Sequence, residues 1–330
     1  MIQVALGIDV GGTKMAGGIV DTHGEILYSY TVATPAQFGD LEKDFLELVG
    51  HLLETAAGRG DARLDGAPFD VVGIGVAVPG TVEREEGLAI GACNLPWQNF
   101  AIRSLLEDEF GIATKVENDA DAAALGALRY APEAEGIRNF VFMAIGTGIG
   151  GGIILNGELH GGAWPLAGEV GHTIVDLDGP VCNCGSRGCL EALASGTAIG
   201  RDATTTIQVE QKGLLWPIYK ENGRVTAADV TAAVDKGDAV AQEILHRAAK
   251  YLAVGILNID RLLSPEAVIV GGGVVTESDA LLRYADAAMA DLHPTLRPRI
   301  LQAKGGSVSG VKGAAAIAWE EIVGRVPHTV

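Results

Sequence analysis

The sequence predicts an α/β fold of two similar domains facing one another across a cleft. Three observations carry that prediction. Glycines gather just behind apolar, β-branched runs: VALGIDVGGT (4–13), VVGIGVAVPG (71–80), VFMAIGTGIGGG (141–152) and AVIVGGG (267–273). Each reads as a buried strand entering a tight loop. Helix-like stretches lie between these runs, and alternating strands and helices define the α/β class. Residues 8–27, IDVGGTKMAGGIVDTHGEIL, are also echoed by residues 145–159, IGTGIGGGIILNGEL. Both read strand, glycine turn, Gly-Gly-Ile, then a second turn holding Gly-Glu, which predicts two equivalent hairpins about a domain apart.

Taken in order, the first strand runs straight into Gly11-Gly12, with no basic region before it, so it reads as a strand and not as a signal peptide. LEKDFLELVGHLLETAAG (41–58) reads as an amphipathic helix. The alanine run after Asp119 has high helix propensity, with Asn118 or Asp119 as its cap and Asp121 in its first turn. Residues 201–224 are polar and irregular and read as a surface insertion. In 238–263, Val240, Ile244, Ala248, Leu252 and Ile256 recur every fourth position, which predicts one long packed helix.

Composition narrows the function classes. Lysine and arginine total 24 against 42 acids, a net charge of −18. That balance disfavours nucleic-acid and anionic-membrane partners. No apolar run is long enough to read as a membrane span. Four cysteines in 330 residues make no disulfide framework and point to a reducing, cytoplasmic setting.

Three loops offer backbone N–H groups to phosphate. The first is Asp9-Val-Gly11-Gly12-Thr13-Lys14, where Thr13 adds a hydroxyl and Asp9 is placed to hold Mg²⁺ through water. The second is Gly146-Thr147-Gly148. The third is Gly271-Gly272-Gly273, a flat surface for a base or ribose. Each alone also reads as an ordinary tight turn. Asp119, at the start of a helix, is placed to take a proton from an attacking hydroxyl, as phosphoryl transfer to an alcohol requires.

Cys182-x-Cys184-x4-Cys189, with His172 ten residues earlier, offers three sulfurs and one nitrogen. That set suits a closed tetrahedral structural zinc site, with Gly185 and Gly188 supplying turns. A disulfide or free buried thiols are the alternatives. Cys93 stands apart as a small core residue. The same loop carries Glu169 and Glu191, whose carboxylates, with the imidazole, suit the hydroxyls of a polyol.

These residues resemble the ROK (repressor, open reading frame, kinase) family, over nearly the whole chain. The likeness rests on GIDVGGTK (7–14), GVAVPGTV (75–82), ACNLPWQN (92–99), ENDADAAALG (117–126), AIGTGIGGGII (144–154), GEVGH (168–172), CNCGSRGCLE (182–191) and VIVGGG (268–273). It implies the actin-like, ribonuclease-H-like ATPase fold. The expected division is a smaller domain of 1–117 plus a C-terminal helix at about 310–330, and a larger one of 118–309 with the zinc loop. It implies Asp119 as catalytic base, and sugar hydroxyls bound by Gly80, Asn94, Asn118, Glu169, His172 and Glu191. His172 would face the sugar with one nitrogen and zinc with the other. ATP phosphates would sit between 11–14 and 146–148, with the nucleoside near 271–273. A homodimer or dimer-based oligomer is implied, as is closure on sugar that excludes water. The chain starts at its first strand, so the repressor branch with its helix-turn-helix is disfavoured. NLPWQNF and the cysteine block are most similar to the glucokinase branch, which phosphorylates glucose from ATP at the 6-hydroxyl. N-acetylmannosamine, fructose, mannose and allose kinases are related, and polyphosphate is an alternative donor. GTVEREEG (80–87) departs from the usual pattern. A sugar sensor without turnover, or another ATPase on this fold, are the alternatives of a different class.

Overall fold

The structure, a computed structural model, describes residues 1–58, 68–92, 95–276, 278–293, 295, 298–303 and 310–324. The chain begins with β1 (Gln3–Val10), β2 (Lys14–Asp21) and β3 (Ile26–Ala33), followed by α1 (Phe38–Ala56) and β4 (Asp70–Val78). Next come β5 (Thr81–Glu83), β6 (Leu88–Gly91), β7 (Gln98–Ala101), α2 (Ile102–Phe110), β8 (Thr114–Asn118) and α3 (Asp119–Tyr130). The echo of the first hairpin is β9 (Phe140–Ile145), β10 (Ile149–Leu155) and β11 (Glu158–Leu159). Helices then dominate: α4 (Leu190–Ala194), α5 (Gly196–Glu210), α6 (Leu215–Asn222), α7 (Ala227–Asp235) and α8 (Ala239–Leu263). The chain ends with β12 (Ala267–Gly271), α9 (Gly273–Thr276), α10 (Ala280–Leu292), β13 (Ile300–Gln302) and α11 (Gly310–Ala318).

The two hairpins of the sequence echo open two sheets of the same design. One has the order β3-β2-β1-β4-β8, the other β11-β10-β9-β12-β13. β1 pairs antiparallel with β2 and parallel with β4, as β9 does with β10 and β12. β4–β8 and β12–β13 are both parallel. A small sheet, β5-β6-β7, completes the strands among the described residues.

The chain divides into two compact units. The first comprises Met1–Glu135, Leu159–Ala167 and Val308–Val330; the second comprises Gly136–Glu158 and Gly168–Ser307. The division falls at 135/136 and not at the expected 117/118, because α3 packs on α11 and stays with it.

In the first unit, Val4, Leu6 and Ile8 of β1 meet Leu41, Phe45, Leu48 and Leu52 of α1 in one core. The opposite face of the sheet takes α11, most of whose buried residues are small: Gly313, Ala314, Ala315, Ala316 and Ala318, beside Val311 and Ile317. The strands answer with glycine. A Cβ on Gly7 would collide with the Val311 carbonyl, and one on Gly75 with that of Ala314. Glycine here sets how closely helix and sheet approach.

In the second unit, α8 is the central packing element. Val240, Ile244, Ala248, Leu252 and Ile256 are all buried, as the four-residue spacing predicted. Residues 201–224 are not a surface insertion. They form most of α5 and α6, and Ala203, Ile207 and Leu215 lie in the main core of the unit. No described helix is long and apolar enough to cross a membrane.

Candidate active site

In the second unit the chain folds back on itself between residues 168 and 191. Val170–His172 make one 3₁₀ turn, and short bridges Ile174–Cys189 and Val181–Arg187 close the loop. Gly185 and Gly188 both have positive φ, 90° and 71°, and a Cβ on Gly188 would collide with the Asp176 carbonyl. Glycine is required there, as expected. Tyr251 on α8 donates to Asp176 at 2.9 Å and pins the loop to the core helix.

The loop gathers one ligand atom each from His172, Cys182, Cys184 and Cys189, all within 4.8 Å of one another. Cys184 Sγ lies 3.7 Å from Cys189 Sγ, and Cys182 Sγ lies 3.6 Å from His172 Nδ1. Zinc–sulfur bonds of about 2.3 Å at tetrahedral angles separate two sulfurs by about 3.8 Å, and sulfur from nitrogen by about 3.6 Å. The donor set and its spacings fit zinc, and the cysteines are free thiols rather than a disulfide. Without a cation, burial pushes the Cys189 thiol up to about 12 and raises that of Cys182. The Ser186 backbone N–H draws Cys184 down to about 7. A dication reverses the cost of gathering three thiolates.

The carboxylates belong to the same cluster. His172 turns its other nitrogen, Nε2, toward Glu169 Oε2 at 3.7 Å. Glu191 Oε1 lies 3.7 Å from Cys182 Sγ, while its Oε2 accepts from Ile149 N at 3.0 Å. A Cβ on Gly148 would collide with that same Oε2. Glu191 thus joins the cysteine loop to the glycine turn between β9 and β10, a link the sequence did not reveal.

The Gly146-Thr147 turn and Gly273 border a cavity of about 940 Å³, completed by α5 and the residues leading into α7. Its polar wall includes Arg201, Thr204, Thr205, Gln208 and Arg224. The volume suits a nucleotide-sized ligand. Of the triple glycine, only Gly273 lines it. Gly271 ends the buried strand β12 against Phe142, and Gly272, at φ 96°, packs on the Ile145 backbone. Sequence reasoning missed the α5 wall. Ile199, Ala203 and Ile207 recur every fourth residue there and were the available signal.

In the first unit, β8 ends in Asn118 and α3 begins at Asp119. Asn118 Oδ1 accepts from Ala120 N at 2.8 Å and from Asp121 N, which caps the helix. Its Nδ2 donates to the Gly80 carbonyl at 2.9 Å. Gly80 has φ 84°, and a Cβ there would collide with the Gly91 carbonyl. Asp119 is exposed at the helix N-terminus, where partial positive charge favours the carboxylate. Asn94 and Cys93 lie outside the described residues.

Asp9 is at the end of β1, and Gly11 and Gly12 form the turn into β2. Gly11 N donates to Lys14 O at 2.9 Å, and Thr34 N to Thr13 O at 3.1 Å. Burial raises the Asp9 pKa, and Lys14 partly opposes the rise. A carboxylate held in such a place, beside a backbone turn, is a fitting donor for a hydrated Mg²⁺.

Known proteins resemble this chain over most of its length. The glucokinase of Halalkalibacterium halodurans is 37% identical over 283 residues, covering 84% of this chain and 82% of its own. The ROK hexokinase of Thermus thermophilus superposes with a TM-score of 0.79 at 30% identity, covering 97% of this chain and 99% of its own. A ROK glucokinase from Streptomyces griseus, solved with glucose and AMPPNP, gives 0.79 and 30%, covering 96% and 99%. A xylose repressor of Caldicellulosiruptor bescii is 30% identical over 81% of this chain and 65% of its own. These structures place the paired sheets in the actin-like ATPase fold. The family model described as ROK family matches residues 5–321, and the chain belongs to that family.

Proposed function

We propose that this protein transfers the γ-phosphoryl group of ATP to the 6-hydroxyl of a hexose, with glucose the favoured acceptor. The observation that carries the reading is the division of labour where α3 begins. Asn118 is committed to capping and to Gly80, and the adjacent Asp119 carboxylate is exposed. Asp119 accepts the proton of the attacking hydroxyl. Glu169, His172, Glu191, Asn118, Gly80 and Asn94 hold the other hydroxyls. The nucleoside occupies the cavity walled by α5, and backbone N–H groups of 11–14 and 146–148 meet the phosphates. Mg²⁺, held through Asp9, supplies charge compensation on the phosphates. Zinc on His172, Cys182, Cys184 and Cys189 fixes the loop and takes no part in the chemistry, since a closed shell leaves no position for water. The names of the relatives, glucokinase above all, support glucose. A neighbour described as a putative N-acetylmannosamine kinase, from Listeria monocytogenes, keeps that sugar as the runner-up.

The test is coupled ADP release with Mg·ATP against glucose, mannose, N-acetylmannosamine, N-acetylglucosamine, fructose and allose. Glucose leading by kcat/KM is the expected result. An N-acetyl sugar leading would overturn the substrate. The xylose repressor likeness gives the second reading, a sugar sensor. Sugar binding by calorimetry with no turnover on any sugar would establish it.

A further inference from the structure

The segment GTVEREEG (80–87) departs from the family pattern, and the site as described leaves Arg84 without a role. We infer that Arg84 is a positioning residue that clamps the start of α3 and so aims Asp119. The inference rests on the kinase reading for Asp119, while the clamp itself rests on geometry.

Arg84 leaves β5 and reaches the two acids that flank Asn118-Asp119. Its Nη2 donates to Asp121 Oδ2 at 2.7 Å. Its Nε lies 2.8 Å from Glu117 Oε2. That oxygen has no well-aligned hydrogen bond, so the Glu117 contact acts through charge rather than direction. The third edge of the guanidinium lies on Gly161, where a Cβ would collide with Nη1. One planar group therefore meets β8, α3 and the segment that runs on toward Glu169.

The acids are not surface charges. Glu117 is 1% exposed and Asp121 7%. Glu321 also faces Glu117 and Arg84, and Lys115 pairs with Glu321 at 3.9 Å. Two buried carboxylates with a third nearby repel unless a cation sits between them. Only a planar fork with several fixed donors reaches both acids and still lies flat on a glycine, so lysine is no substitute. Asn118 fixes the cap and Arg84 fixes the turn on either side of it. Asp119, between them, inherits its aim.

The experiment compares wild type, Arg84→Lys and Gly161→Ala. Gly161→Ala keeps every charge and displaces the guanidinium. For each, kcat and KM for hexose and for ATP are measured, with melting temperature and hydrogen exchange of the α3 N-terminal amides. The expected result in both variants is a kcat lowered at least about tenfold with KM for ATP within twofold. Exchange should rise at residues 117–123 and stay unchanged in α8. If Arg84→Lys fails to fold, Gly161→Ala decides alone. Folded variants with wild-type kcat and unchanged exchange would overturn the clamp. So would a kcat loss matched by equal loosening throughout the protein. If wild type turns over no hexose, the kinase reading falls, and the exchange pattern alone still tests the clamp.

Discussion

Asn118 and Asp119 are neighbours with opposite surroundings. Asn118 is held on both sides of its amide, and Asp119 is exposed at the helix N-terminus. Asp119→Asn should therefore keep the helix and sugar affinity but lose about 10²–10⁴-fold in kcat, the usual worth of a general base. Steady-state kinetics beside calorimetry would separate the two quantities, and wild-type turnover would remove Asp119 from the mechanism. Both residues were legible in the sequence because their chemistry is local: a cap and an acid before an alanine run. The three cysteines were legible for the same reason, being within eight residues. Arg84 was not. Its partners Glu117 and Asp121 lie 33 and 37 positions away, and nothing in the intervening sequence marks their meeting.

Elements were readable where a single periodicity governed them. Buried strands ending in glycine turns, and α8 with its four-residue spacing, followed directly from sequence. α5 did not, because GTAIGRDATTTIQVE is rich in glycine and threonine, which favour helix poorly. It is helical because Ser195 caps it and Ile199, Ala203 and Ile207 are buried. Helix α8 offers a sharper test. Asp238 is buried, caps it through Ala241 N and also accepts from Leu214 N before α6. Asp238→Ala should cost about 1–2 kcal/mol in chemical denaturation. A loss below a few tenths would mean that the cap is redundant. The entry to β12 is held by a carboxylate whose effect depends on pH. Glu266 Oε2 accepts from the backbone N–H groups of Arg138 and Asn139, which lower its pKa below 4.5. A depressed folded pKa stabilises above the ordinary value and is lost as pH falls through the folded one. Glu266→Gln should thus destabilise modestly at pH 7 and less at an acid pH below the ordinary carboxylate range, by melting temperature. Equal effects at both pH values would refute the charge-based account.

At the scale of the whole molecule, the cysteine loop should bind one zinc per chain. Cys184→Ser, or a strong chelator, should remove the metal, lower the melting temperature and weaken sugar binding together. Metal analysis of the purified variant decides, and retained zinc would refute the site. The first unit has another property. It is assembled from three separate stretches, and its last piece, α11, packs on β1, β4 and α3. On the ribosome, β1 emerges about three hundred residues before the helix that covers its glycine-lined face. During that interval the nascent sheet has an uncovered side shaped for a helix of mostly small residues. The keystone of the first unit is thus made after the rest of that unit, and a chain stopped before residue 310 would present that bare face to chaperones and to other copies of itself. A truncated product should accumulate as aggregate even though its second unit is complete.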